Sequence, residues 1–188
     1  MRSTDDYKLH IITDVDGIFT SANLTFTANV GKSKHFSVND SLVTTFLRER
    51  FGDLVKIQAL TGDKDSGLLI TENRLDYMQI PIVQCKNVFK YHWIKEHFDI
   101  SKIVFIGDDI YDIAIFKECK YGCTVSNAPT IVQKNASYVS PFEGGKNGFT
   151  DIIFKILETQ LGVDVEQELL NYVRNKEKEY HDRKNSPK

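Results

Sequence analysis

The chain has 188 residues, 41% of them hydrophobic and 27% charged, with 24 basic against 26 acidic side chains and a formal net charge of −2. That is the composition of one ordinary globular domain with a sizeable core. The balance argues against nucleic acid or an anionic membrane as an obligatory partner; no apolar run approaches the ~20 residues of a membrane span, and no signal-peptide pattern opens the chain.

Leu9-His10-Ile11-Ile12 reads as a short buried strand, and it runs into Thr13-Asp14-Val15-Asp16-Gly17. Asp and Gly are poor strand formers, so the strand ends where the acids begin. By itself the tetrapeptide Asp14-Val15-Asp16-Gly17 fits an Asp pair that caps the next element. Two β-prone runs around Ala28-Asn29-Val30-Gly31 predict a hairpin within 23–38. Asn39-Asp40-Ser41 is expected to cap a helix carrying Leu42, Val43, Phe46 and Leu47, which Phe51-Gly52 ends.

A strand over 55–60 stops at Thr61-Gly62-Asp63, and a helix over 64–74 follows. A short strand at 81–83, a helix over 88–98 and a buried strand at 103–106 come next, the last ending in Gly107-Asp108-Asp109-Ile110-Tyr111-Asp112. A helix through Phe116 and Cys119, short strands at 122–125 and 137–140, and a helix over 150–161 complete the alternation. A last amphipathic helix begins near Val165, and the polar stretch from Lys176 onward is expected to fray or be disordered. Strand and helix alternate throughout, which specifies an α/β, Rossmann-like, doubly wound parallel sheet. The hairpin is the one insertion that breaks the alternation. Cys85, Cys119 and Cys123, an odd number in a domain that needs no staples, read as reduced thiols of a cytoplasmic protein.

Three strands thus end in chemistry at one edge of the sheet: Asp14 and Asp16, then Thr61-Gly62, then Asp108, Asp109 and Asp112. Carboxylates about 4 Å apart at an effective dielectric near 20 repel by about 4 kcal/mol per pair, so the cluster calls for a cation. Hard oxygen ligands without Cys or His point to Mg²⁺, and a Mg²⁺ held by few carboxylates commonly holds phosphate too. Thr61 and the Gly62 amide, at a helix N-terminus, suit a phosphate. Lys86 or Lys90, around the start of the next helix, could supply the balancing positive charge.

The order Asp-x-Asp-Gly, Thr-Gly, Lys, Gly-Asp-Asp-x-x-Asp resembles the haloacid dehalogenase superfamily of phosphatases, and more narrowly its capless sugar-acid phosphatases. Those act on 3-deoxy-manno-octulosonate 8-phosphate (Kdo 8-phosphate) or nonulosonate 9-phosphates. The likeness runs from about residue 9 to 165 and includes Phe36-Ser37-Val38-Asn39-Asp40-Ser41 and Gly144-Gly145-Lys146-Asn147-Gly148.

The resemblance implies a phosphatase domain over 1–165 without a large cap, followed by a helix and tail over 166–188. It implies Asp14 as nucleophile, Asp16 as acid/base, and Thr61 and Lys90 as catalytic partners, with Lys86 as the alternative lysine. It implies Mg²⁺ held by Asp14, the Asp16 carbonyl and Asp108, with Asp109 and Asp112 in support. Gly62, Asp63, Lys64, Lys86, Gly144, Gly145 and Lys146 are candidates for substrate binding. A homotetramer built through the hairpin is implied as well.

Where these phosphatases commonly carry Asp-Gly after Thr20, this chain has Ser21-Ala22, and Glu143 stands where Arg is common. Asp63 after Thr-Gly, and Ser41 in the second motif, look more like the nonulosonate 9-phosphate type. Lys64, Lys146 or a neighbour's basic group would have to offset Asp63 and Glu143 for a substrate carboxylate. The alternative reading is a catalytically weak domain of this fold that oligomerises or binds beside nucleotide-sugar synthesis.

Overall fold

The computed structural model describes residues 8–23, 25–27 and 31–185. Strand β1 (Leu9–Asp14) is flanked on both sides: it pairs in parallel with β4 (Val55–Thr61) and with β6 (Ile103–Ile106). β5 (Ile82–Gln84) extends the sheet beyond β4, while β7 (Tyr121–Thr124) and β8 (Tyr138–Val139) extend it beyond β6. The six parallel strands run in the order β5-β4-β1-β6-β7-β8. The winding direction therefore reverses at β1, and the crevice at the carboxyl ends of β1 and β6 is where such sheets receive ligands.

The strands beside that crevice are apolar because both faces of the sheet are covered. Leu9, Ile11 and Ile12 and all four residues of β6 are buried. With this strand order, the right-handed rule for parallel crossovers assigns α1 (Val38–Phe51) and α2 (Asp65–Tyr77) to one face. The same rule assigns α3 (Lys90–His97), α4 (Ile113–Phe116) and α5 (Thr130–Gln133) to the other.

Several local expectations shift. Ser37, not Asn39-Asp40-Ser41, is the N-cap of α1; its side chain accepts the Asn39 amide, so Asp40 and Ser41 lie in the first turn and are buried. The helix expected over 88–98 opens as a 3₁₀ turn, Asn87–Phe89, which places Lys90 at the start of α3. Further 3₁₀ turns, Ile100–Lys102 and Ile110–Asp112, precede β6 and α4. The hairpin is present as antiparallel β2 (Thr25–Thr27) and β3 (Gly31–Ser33), and its turn at 28–30 lies outside the described residues.

The chain divides into two compact units, Met1–Ile152 and Ile153–Lys188, and the division falls within α6 (Gly148–Leu161). The second unit ends in α7 (Val165–Asn185). The expected fraying beyond Lys176 is thus replaced by helix through Asn185. Side-chain pairs one turn apart, Lys176–Glu179 at 3.4 Å and Glu179–Arg183 at 3.7 Å, favour it. No cap domain occurs among the described residues, and no helix among them is long and apolar enough to cross a membrane.

Candidate active site

β1 ends on Asp14, β4 on Thr61, and Gly107-Asp108 follows β6, so the sheet's parallel register brings three of the sequence motifs to one edge. They open onto a cleft of about 600 Å³ lined by Asp14, Asp16, Ala22, Gly62, Asp63, Lys86, Asn87, Asp108, Asp109, Ile110, Asn127 and Pro129.

At its floor the Asp14 carboxylate is buried, accepting the Val15 amide at 2.7 Å on one oxygen and the Lys90 ammonium on the other. Lys90 has no exposed surface. Burial lowers its proton affinity, but the charges of Asp14, Asp112 and Asp109 outweigh that and hold it above the ordinary lysine range. Lys86 is exposed on the cleft wall. Of the two candidate lysines, Lys90 is the one on Asp14.

Oxygens of Asp14, Asp108 and Asp112 lie within 4.8 Å of one another. Burial raises the proton affinity of all three: Asp14 and Asp112 move up against the opposing charge of Lys90, and Asp108 rises to about 7, with Asp14 adding to the rise. One ammonium does not balance three carboxylates in so dry a place. The Asp112 Oδ1 is buried with no hydrogen-bond partner, while Oδ2 accepts the Asp109 amide at 3.0 Å. An all-oxygen donor set with an orphaned, buried carboxylate oxygen fits a hard divalent cation.

Asp109 is placed differently. Its Oδ1 caps the 3₁₀ turn through the Tyr111 amide at 3.1 Å, and its Oδ2 accepts from Asn87 at 2.6 Å, which ties the loop after β6 to the one before α3.

The loop after β1 is held by a close approach. Gly17 has φ +93°, and a Cβ there would lie 1.9 Å from the Asp108 carboxylate. Gly144 packs so tightly that a Cβ would come within 1.7 Å of the Gly17 carbonyl oxygen, and the Gly145 amide donates to the Ile18 carbonyl at 3.0 Å. Gly144, Gly145 and Lys146 stand behind the cleft wall rather than among its lining. Lys146 pairs with Glu143 at 2.8 Å on the surface, so these two charges satisfy each other. Thr61 is buried, its hydroxyl accepting the Asp63 amide at 3.1 Å, while exposed Lys64 precedes α2 outside the lining.

The Asp16 carboxylate faces the cleft and stands apart from the Asp14–Asp108–Asp112 cluster. It meets a residue the sequence did not single out: Lys34 Nζ lies 2.8 Å from Asp16 Oδ1 and 2.6 Å from Asp63 Oδ2. Lys32 adds a contact to Asp63 at 3.0 Å. Burial pushes the Asp63 carboxyl up, yet hydrogen bonds from Lys34 and Lys32 win and take it down to about 2. The basic charge that offsets Asp63 therefore comes from the hairpin of the same chain, not from Lys64 or Lys146. A lone lysine at the end of a polar strand carries no signal of this in sequence. Asn87 and Asn127 are likewise new. Asn127 accepts the Gly144 amide at 2.9 Å and donates to the Ser21 carbonyl at 3.3 Å, joining three loops.

Comparison with known proteins bears on the class. A family model described as haloacid dehalogenase-like hydrolase matches residues 50–153. The 3-deoxy-D-manno-octulosonate 8-phosphate phosphatase of Haemophilus influenzae is 30% identical over 159 residues, covering 80% of this chain and 83% of that one. The chain belongs to the haloacid dehalogenase-like hydrolase family, and within it is an enzyme of the phosphatase type.

Solved structures agree in fold. The cobalt-bound deoxy-D-mannose-octulosonate 8-phosphate phosphatase of Haemophilus influenzae has a TM-score of 0.70 at 27% identity, covering 88% of this chain and 98% of that one. The Moraxella catarrhalis 3-deoxy-D-manno-octulosonate 8-phosphate phosphatase, solved with magnesium, phosphate and a Kdo molecule, has a TM-score of 0.73 at 22% identity, covering 88% and 94%.

Proposed function

We propose that this chain is a Mg²⁺-dependent phosphomonoester hydrolase that works through an aspartyl-phosphate on Asp14. Its substrate is a 2-keto-3-deoxy sugar acid phosphate, either Kdo 8-phosphate or a nonulosonate 9-phosphate. The observation that carries this reading is the buried Lys90–Asp14 ion pair at the cleft floor, beside Asp108 and Asp112.

In the first half-reaction a carboxylate oxygen of Asp14 bonds to phosphorus as the bond to the sugar oxygen breaks. Asp16 gives the departing alkoxide its proton. In the second, Asp16 takes a proton from water, the water oxygen bonds to phosphorus, and Asp14 leaves as carboxylate with inorganic phosphate. Dividing one displacement into two in-line steps is the logic of covalent catalysis. Lys90, the Thr61 hydroxyl and the Gly62 amide balance charge on the phosphoryl oxygens. Asp14, the Asp16 carbonyl and Asp108, with Asp112 and Asp109 in support, would hold Mg²⁺, which would supply Lewis-acid charge neutralisation to the phosphoryl group.

The Haemophilus relative supports an octulosonate phosphate, while Asp63 and Ser41 favour the nonulosonate type. With Asp63 neutralised by Lys32 and Lys34, a substrate carboxylate faces less repulsion than the sequence alone implies. We assign the phosphatase domain to residues 1–165, the hairpin to a homotetramer interface, and the enzyme to the cytoplasm, in keeping with three free thiols.

The test is release of inorganic phosphate from Kdo 8-phosphate, nonulosonate 9-phosphates and hexose phosphates, with and without Mg²⁺. Turnover should need Mg²⁺, favour a sugar acid, and vanish in Asp14→Asn. Absence of turnover on every ester would leave the alternative, a catalytically weak binding domain beside nucleotide-sugar synthesis.

A further inference from the structure

Lys34 directly follows β3 and its side chain is wholly buried. A lysine ammonium has three N–H donors in total. Here three groups surround it: Asp16, with oxygens at 2.8 and 2.9 Å, Asp63 at 2.6 Å, and the Thr71 hydroxyl at 2.8 Å. Its ammonium donates to Asp16 and Thr71 and is ion-paired with Asp63, and with no exposed surface of its own Lys34 is not placed as a substrate ligand. Its partners instead come from three segments: the loop after β1, the loop after β4, and α2. Two of them, Asp63 and Thr71, hold the ammonium; Asp63 and Asp16 both line the cleft, but Asp63 is only 10% exposed while Asp16 is 36% exposed.

We infer that Lys34 is the positioning residue of Asp16: anchored by Asp63 and Thr71, it draws the Asp16 carboxylate off the Asp14–Asp108–Asp112 cluster and turns it to the cleft, where the leaving oxygen stands. The inference rests on the phosphatase reading above. As the bond from phosphorus to the alkoxide breaks and the bond to Asp14 forms, the Asp16 proton passes to the alkoxide. The carboxylate left behind is met by an ammonium already in place, with no reorganisation at the moment of transfer. The hairpin would then serve the chemistry within its own chain.

The test compares an alkyl ester, the preferred sugar phosphate, with p-nitrophenyl phosphate, whose phenolate leaves without a proton. In Lys34→Met, kcat on the alkyl ester should fall about 10²-fold with KM little changed, and the loss on the aryl ester should be roughly 10-fold smaller. Lys34→Arg should recover most of the alkyl activity. Equal losses on both esters, or a loss confined to KM, would overturn the inference.

Because Lys34→Met leaves two acids facing each other, Lys34→Met/Asp63→Asn is the companion variant, and its crystal structure should show the Asp16 carboxylate turned from the cleft. An unchanged Asp16 rotamer there counts against the role. If the parent protein hydrolyses neither ester, the phosphatase reading falls, and the crystallographic arm still decides whether Lys34 positions Asp16.

Discussion

Lys90 and Asp14 stand 76 residues apart in the chain, yet their side chains form a buried ion pair at the carboxyl edge of the sheet. Removing one partner of a buried pair leaves the other uncompensated, at a cost of about 3–5 kcal/mol. Lys90→Met should therefore lower kcat by about 10³-fold and lower stability as well. Lys86→Met, which removes an exposed charge from the cleft wall, should act mainly on KM. Steady-state kinetics and urea denaturation of the two variants check this, and similar losses in both would remove the distinction between the lysines.

The unbalanced acids at the floor predict a stability that depends on metal. Mg²⁺ at 100 times its dissociation constant should stabilise the fold by about 2.7 kcal/mol, and EDTA should reverse the gain. Asp112→Asn removes one charge from the cluster, so the variant should be more stable than the parent in EDTA and gain less from Mg²⁺. Thermal melts of both proteins across a Mg²⁺ series measure the difference. A parent melt indifferent to Mg²⁺ would count against a cation at this cluster.

Asp40 offers a pH test away from the cluster. It is 1% exposed, one oxygen accepts from Thr150 at 3.0 Å, and the other is unpartnered. Burial raises its carboxyl to about 6, with the Thr150 hydrogen bond and the Arg74 charge opposing. A folded value above the unfolded one means the protonated form is favoured in the fold. This group's contribution is full below about pH 4 and is lost as pH rises to about 6, a change on the order of 3 kcal/mol. Asp40→Asn keeps an acceptor for Thr150 and cannot ionise. Urea denaturation at pH 5 and pH 7.5 should show a smaller fall for the variant, and parallel falls would sink the assignment.

Ala22 lines the cleft with φ +62°, a left-handed conformation that costs a residue bearing a Cβ about 1–2 kcal/mol. It occupies the place where similar phosphatases commonly carry Gly. Ala22→Gly relieves the strain but adds unfolded-state entropy, so the net gain should be about 0.5–1 kcal/mol. Chemical denaturation reads this directly; a destabilised variant would mean the Ala22 methyl makes a contact worth more than its strain.

Much of the fold was legible because the signals are local. β6 has the bounds that its apolar run implied, and β1 and β4 end within a residue or two of where Asp14 and Thr61 implied they should. Ser37 and Asn39-Asp40-Ser41 offer equally good chemistry for capping α1, and only the backbone geometry separates them. The helix through Asn185 is hidden in sequence for a related reason. A polar stretch with no apolar face reads as tail, although its Lys176–Glu179 and Glu179–Arg183 spacings are those of helix.

By itself, then, the sequence determined the kind of chemistry: acids placed where apolar strands stop can only gather at one sheet edge, because side-chain alternation and strand-breaking residues act over a few positions. Which cations answer those acids was decided by tertiary structure alone. The sequence narrows the phosphate lysine to Lys86 or Lys90 and gives no reason to pick out Lys34. Burial separates them, and burial depends on segments 18 to 76 residues away. The crossover from β5 back to β6 drops Lys90 onto Asp14, and the hairpin sets Lys34 between Asp16 and Asp63.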